Sequence, residues 1–424
     1  MVKSITLLLI CFLSAAGIVS GQQTDTLQLD LPHAEKLFLD SNLLLLAQRY
    51  NITANEALVL QARLWPNPNF AIGHTLYSGQ LRQFFPTGNN DETTLNLNQL
   101  ILLAGKRNKQ IKLSQANVQL TQYQFLDLLR TLKYTLRSDF FNIYYMQQSA
   151  QAYDKEIRAL QHVVESYSSA HDKGYISGKD LIRIRAQLYS FISEYNDLLN
   201  QINDTESELR LVLQIKPSFF IQPKPDIPAI ETLDPGRYAL PVLIDSAYKN
   251  RTDLNVARTN TEINRLNYNY QKALAVPDLT VSANYDEAGS FLNGFYGIGA
   301  SIDLPFFNRN QGNIKSAKAT IANAQATQHF TEATVSENVA RSLQKAYAQQ
   351  KLYKEIDPAF SGDFERLANE VLLQYEHRNI SLLDFLDFYD SYKQNIIQVN
   401  TIKYNRVQSF EDLNYYTATN FFNE

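Results

Sequence analysis

This sequence is poor in cysteine, in glycine and proline, in paired histidine, in net charge and in long apolar runs, and each shortage excludes something. The single cysteine, Cys11, lies inside an apolar N-terminal stretch. The remainder of the chain therefore forms no disulfide and offers no thiolate nucleophile or metal ligand. His33, His74, His162, His171, His329 and His377 are scattered, with no i, i+4 pair on one helix, which leaves a dedicated metal site little to draw on. No cofactor and no bound metal are expected. A net charge of -4 over 424 residues supplies no basic footprint for nucleic acid. The Gly-x-Gly of "YGIGASI" lacks a third glycine and sits in a strand pattern, so it is no phosphate cradle. Past the N-terminal stretch, no segment approaches the roughly eighteen consecutive apolar residues of a membrane helix. A membrane β-barrel escapes that test, because its strands are short and only alternately apolar.

What is present begins with "MVKSITLLLICFLSAAGIVSGQQTD". Lys3, the apolar run from Ile5 to Val19 and the small residues ending at Gly21 read as a secretory signal over residues 1–21, cleaved before Gln22.

The scarcity of glycine and proline has a consequence for length. Neither occurs from Lys106 to Lys173, from Lys179 to Lys216, from Asn313 to Asp357, or from Asp363 to the end. These stretches predict helices far beyond the usual length of about 11 to 12 residues, the first reaching on the order of 100 Å. Leu181, Ile184, Leu188, Phe191, Tyr195, Leu198 and Ile202 alternate at three and four, the spacing of a coiled-coil seam. Phe385, Phe388, Tyr392, Val399 and Ile402 keep the same spacing, with Asn395 inside the seam.

Four other segments alternate with a period of two: "NFAIGHTLY" (69–77), "TLNLNQL" (94–100), "LTVSANY" (279–285) and "YGIGASIDL" (296–304). They predict two β-hairpins, at about 69–103 and 278–306. The halves repeat. "YISGKDLIR" at 175 and "NISLLDFLD" at 379 match at Ile, Ser and Asp with an offset of 204, and "FLDSNLLLLA" at 38 matches "YKNRTDLNVA" at 248 more loosely. The chain thus divides into a first repeat over 22–215, a proline-rich linker over 216–240 and a second repeat over 241–424. Each repeat is helix, hairpin, long helix, turn, long helix. The predicted class is mainly α with a β-barrel contribution of four strands. Four strands cannot close a barrel and an open sheet edge is not tolerated in lipid, so strands in a membrane require several copies of the chain.

On this repeat order, and on Asp384 and Asp387 just after the turn before the last long helix, the sequence resembles the TolC-like outer membrane factors. It stands nearest the branch serving heavy-metal and drug exporters. The resemblance implies a homotrimer with one twelve-stranded barrel in outer membrane lipid and a helical barrel crossing the periplasm. It also implies a periplasmic adaptor protein and an inner-membrane pump of RND type as partners, with energy spent elsewhere. Asp384 and Asp387 then form an acidic ring at the pore gate. Asp180 and Tyr375 fall where relatives keep partners of a closing network. Where some place an arginine this chain has Ile380, with His377 and Arg378 displaced. The turns at Gly174, Ile176 and Ser177 and at Arg378, Ile380 and Ser381 are candidates for adaptor contact. Many members of this branch carry a lipid on an N-terminal cysteine; here glutamine stands there, so anchorage rests on the barrel.

As an acid and base pair, Asp384 and Asp387 would point into one space from one helix face instead of flanking a substrate, and no nucleophile or oxyanion donor lies near them in sequence. An enzyme is not expected. The rivals to an efflux duct are a non-conducting coiled-coil spacer or binding protein of the envelope and, within the family, a duct for drugs or for type I protein secretion.

Overall fold

A computed structural model describes residues 25–79, 81–86, 92–288, 292–357, 359–377 and 379–422. The expected signal, Cys11 and Arg378 lie outside these residues.

In chain order the elements are β1 (Asp25–Leu29), α1 (Leu31–Ser41), α2 (Leu43–Arg63), β2 (Asn69–His74), β3 (Tyr77–Ser78), β4 (Gln83–Phe84), β5 (Thr93–Ile101), α3 (Lys106–Asp172), α4 (Gly178–Leu213) and β6 (Phe219–Pro223). Then follow α5 (Ile227–Glu231), a 3-10 turn (Pro235–Arg237), α6 (Leu240–Asn250), α7 (Thr252–Leu274), β7 (Leu279–Ala288), β8 (Asn293–Ile302), α8 (Gln311–Lys354), α9 (Phe360–Glu376) and α10 (Leu382–Thr417). The expected long helices form: α3 runs for 67 residues, about 100 Å. Its turn into α4 uses Gly174 at φ 76°, a left-handed conformation that glycine adopts without a Cβ penalty. There the Tyr175 N–H donates to the Ala170 carbonyl at 2.9 Å, closing the helix end.

The coiled-coil seam is buried where the spacing placed it. Leu181, Ile184, Leu188, Phe191 and Ile202 are buried, and Tyr195 and Leu198 half-buried. On α10 Phe385, Tyr392 and Val399 are buried, with Phe388, Asn395 and Ile402 half-buried. One apolar cluster unites α3 (Tyr153, Ile157, Leu160), α4 (Ile184, Leu188, Phe191), α9 (Tyr375) and α10 (Phe385, Leu386, Tyr389). Two further clusters mirror each other: Ala34, Phe38 and Leu45 pack with Leu136 and Leu209, and Leu243, Ala247 and Leu254 pack with Val339 and Leu413. The helices α1 and α6 are offset by 209 residues, so the loose match of "FLDSNLLLLA" to "YKNRTDLNVA" is one residue out of register. Buried position, and not residue identity, carries the repeat there.

The strands form a four-stranded antiparallel sheet in the order β2-β5-β7-β8. Its register sorts the side chains onto two faces. Phe70, Leu97, Ala283 and Ile298 make one row and Ile72, Leu95, Tyr285 and Tyr296 another. On the opposite face run Ala71, Asn96, Asn284 and Gly297, then Asn69, Asn98, Ser282 and Gly299. A Cβ on Gly299 would lie 2.6 Å from Ser282 Oγ, so the polar face needs glycine where side chains crowd.

The 216–240 stretch, a linker by composition, is folded. Its β6 pairs in parallel with β1, Asp25 opposite Phe219 through Leu29 opposite Pro223. Pro228, Pro235 and Pro241 occupy first-turn helix positions, where a missing N–H costs nothing. Arg406, 2% exposed, donates to the carbonyls of Ile230 at 3.1 Å and Leu233 at 2.9 Å and to Gln350 Oε1 at 2.6 Å. That guanidinium fastens the stretch between α8 and α10.

Candidate functional site at the helical tip

The two long-helix turns share one construction. Ser177 is the N-cap of α4 and Ser381 the N-cap of α10. The Asp180 N–H donates to Ser177 Oγ at 3.2 Å while Ser177 Oγ donates to Asp180 Oδ2 at 2.7 Å. Asp384 and Ser381 repeat this at 3.2 and 2.6 Å. The arrangement is a serine N-cap whose hydroxyl is held in turn by the aspartate three residues on, worth about 1 kcal/mol to each helix start. Asp180 and Asp384 therefore have a structural duty, legible as Ser-x-x-Asp, that the sequence reading above does not use. Asp387, one turn on, is exposed, and among the described residues it makes no hydrogen bond or ion pair. Arg183, its counterpart in the first repeat, is exposed too.

Behind the aspartates lies an aromatic stack. Tyr375 sits 4.2 Å from Phe385 with planes 12° apart, and 5.6 Å from Tyr167 at 14°. The Tyr375 hydroxyl is buried and has no hydrogen-bond partner among the described residues. Burial first, then the nearby Tyr167 hydroxyl and Asp180 carboxylate, push its ionisation far above the usual phenol range. Asp180 and Tyr375 are thus neighbours without a direct bond in one chain. Ile380 is half-buried against the same cluster, so an aliphatic side chain packs behind the turn. His377 is exposed at the C-cap of α9. At the other turn Gly174 and Ser177 are exposed and Ile176 half-buried, and His171 Nδ1 donates to the Ile176 carbonyl at 3.0 Å.

Deeper in the bundle is a polar tie that the spacing analysis missed. Lys393 of α10, 5% exposed, reaches Glu194 of α4 at 2.8 Å and lies 4.3 Å over the Phe191 ring. Tyr153 of α3 donates to the same carboxylate at 2.9 Å. Burial would raise the Glu194 carboxyl, but hydrogen bonds from Lys393 and Tyr153 outweigh it and hold it below its ordinary value. The tie joins the first-repeat hairpin to the second.

Glu156 on α3 is the opposite case. It is 5% exposed, its Oε2 has no hydrogen-bond partner among the described residues, and burial pushes its carboxyl up to about 8, with Lys155 opposing the rise and Glu365 adding to it. A carboxyl raised in the fold is bound as the neutral acid, so its stabilisation is complete below the ordinary value of 4.5 and is lost as pH rises through about 8. Glu156→Gln is expected to raise the urea midpoint above about pH 8 and to leave it unchanged below about pH 4. Denaturation at both pH values measures this.

Among the described residues no group of three or more His, Asp or Glu could hold a metal, and no helix is long and apolar enough to cross a membrane. The apolar face of the sheet is another matter, since Ile298 is 93% exposed and Tyr296 80% in the single chain. A strand sector with one bare apolar face thus stands on long paired helices, α3 at about 100 Å packing along the shorter α4. The chain belongs to the outer membrane efflux protein family, whose model matches residues 36–213 and 243–418. Its function is that of an outer membrane exit duct for efflux. It is similar to the cobalt-zinc-cadmium resistance protein CzcC of Cupriavidus metallidurans, 21% identical over 359 residues that span 85% of this chain and 82% of that one. Its fold is similar to that of CusC, at 16% identity and a TM-score of 0.71 over 94% of each chain. It is also similar to that of the Campylobacter jejuni CmeC outer membrane channel, at 15% identity and a TM-score of 0.73 over 91% of this chain and 84% of that one.

Proposed function

We propose that three copies of this chain close their sheets into one twelve-stranded barrel and their helices into a periplasmic tunnel. Substrate handed over by an RND-type inner-membrane pump and a periplasmic adaptor leaves through it without any reaction. One observation carries the reading: among the described residues neither β2 nor β8 has a strand on its outer side, while the apolar face between them is bare. Open edges in lipid demand further strands, and identical copies supply them by rotation about one axis. Heat-labile trimers in detergent together with single-channel conductance are the expected result. A monomer with no conductance would favour the non-conducting envelope spacer.

The cargo proposed is divalent metal cations, supported by the resistance function in the name of the relative CzcC and by the acidic pair at the tip. A deletion strain is expected to become sensitive to cobalt, zinc or cadmium. Sensitivity confined to drugs, or a defect only in protein secretion, would assign the duct to another pump. We place adaptor contact at the turns around Ile176 and Ser177 and around Ile380 and Ser381.

At the tip, Asp384 and Asp387 from each of three chains form stacked acidic rings whose potential favours cations in a narrow entrance. The test must spare the cap. Asp384→Asn with Asp387→Asn removes charge while leaving Ser381 an acceptor. In planar bilayers the double variant is expected to lose cation selectivity several-fold and to bind multivalent blockers more weakly. Unchanged selectivity would remove the rings from the gate.

A further inference from the structure

The helix–strand junctions carry a charge pattern that the duct reading leaves unused. Within residues 60–66, 101–115, 268–280 and 301–320 there are nine lysines and arginines against two aspartates, an excess of seven positive charges in a chain whose net charge is -4. Side-chain bonds bring these four segments to one level. Lys106 pairs with Asp278 at 2.7 Å, joining the start of α3 to the start of β7. Arg107 lies 4.6 Å over the Trp65 ring and donates through Nε to the Arg63 carbonyl at 2.9 Å, joining α3 to the end of α2. Asn310 Nδ2 donates to the Gln271 carbonyl at 2.8 Å, joining α8 to the end of α7. Of the nine cations, Lys106 alone is paired with a carboxylate among the described residues.

Beside this belt stand exposed apolar side chains. Phe307 is 97% exposed, Phe306 68%, Leu304 65% and Trp65 59%. Leu304, Phe306 and Phe307 follow directly on Ile302, where β8 ends, and Trp65 lies just before β2, at the end where the helices begin. A bare aromatic rim on an apolar strand face, followed directly by unpaired cations, matches the acyl-to-phosphate boundary of a bilayer leaflet.

We propose that this junction is a binding surface for anionic phospholipid headgroups in the periplasm-facing leaflet. Trp65, Leu304, Phe306 and Phe307 seat in the interfacial layer, and Arg107, Lys112, Arg309, Lys315 and their neighbours draw the lipid phosphates. The helix-capping bonds of Arg107 and of Lys109, whose Nζ donates to the Ala104 carbonyl at 2.5 Å, explain the placement of those two side chains. They do not explain the excess of charge. This inference rests on the membrane reading of the sheet.

The test uses the full-length protein purified in neutral detergent, with native mass spectrometry to count bound lipid. Phosphatidylglycerol is expected to bind at least about tenfold more tightly than phosphatidylcholine, with the preference falling as salt rises. Lys112→Gln with Arg309→Gln and Lys315→Gln changes exposed side chains only, so the trimer is expected to persist while most of the preference disappears. Equal binding of both lipids, or a preference untouched by the triple variant, overturns the proposal. Conductance in neutral bilayers separates the two readings: a conducting trimer without headgroup preference sinks the lipid surface alone, and failure to insert into any bilayer sinks both.

Discussion

Ile298→Lys is expected to prevent assembly of the conducting trimer. Ile298 stands in the row Phe70, Leu97, Ala283 and Ile298, 93% exposed in the single chain. On a face that meets lipid, a lysine near the bilayer midplane costs roughly 2–4 kcal/mol, and three copies incur it at once. The helices should still form, because α3 to α10 do not depend on that row. Asn96→Lys, on the opposite face between Ala71 and Asn284, is the control and is expected to assemble and to shift ion selectivity. Band shifts on heating in detergent gels, followed by bilayer conductance, read both variants. Equal assembly of the two would mean that the sheet faces are assigned the wrong way round.

Arg137→Leu is expected to lower stability by roughly 3–5 kcal/mol per chain, the range for removing one partner of a buried ion pair. Arg137 is 8% exposed. It donates to Glu411 through Nε at 2.7 Å and Nη2 at 2.8 Å and to Glu35 through Nη1 at 2.7 Å. Lys133 approaches Glu35 at 3.0 Å. The guanidinium thereby fastens α1 and α10 to α3, and its loss strands the Glu411 carboxylate, whose side chain is 6% exposed. A urea midpoint shift measures the loss, and Arg137→Leu combined with Glu411→Leu should recover part of it, since no buried charge is then left unpaired. Burial alone would raise the Glu35 carboxyl, but hydrogen bonds from Arg137 and the charge of Lys133 outweigh it and keep it below 4.5. A depressed carboxyl contributes stability above its ordinary value and loses it as pH falls through the folded one. Glu35 therefore weakens the fold in acid and Glu156 in alkali.

How much of this was legible depended on how local the signal is. The seam through Leu181, Ile184 and Leu188 and the alternation through Leu279, Val281 and Ala283 could be read, because period alone decides which side chains share a face. The Ser177-x-x-Asp180 and Ser381-x-x-Asp384 caps are equally local, since serine three residues before aspartate at a turn marks a helix start. The tie from Lys393 to Glu194 and Tyr153 joins residues on three helices. Spacing within one helix says nothing of such a bond.

The composition of 216–240 leaves its packing open for a related reason. Proline marks where a regular element cannot continue, but whether the chain then wanders or packs depends on what lies beside it. Here β1, nearly two hundred residues earlier, supplies β6 with a parallel partner, and Arg406 from α10 supplies its carbonyls with donors.

By itself the sequence determined the long helices, the two hairpins, the two-fold repeat and the apolar face of the hairpin strands, because these follow from short-range periodicity and from the absence of helix breakers. Only the tertiary structure decided that Asp384 holds the cap of its helix while Asp387 stands in solvent, that Ile380 packs against the tip cluster, and that Lys393 and Arg137 fasten distant helices. Burial and pairing are properties of neighbours in space, and the free energy of a charged side chain is set by them.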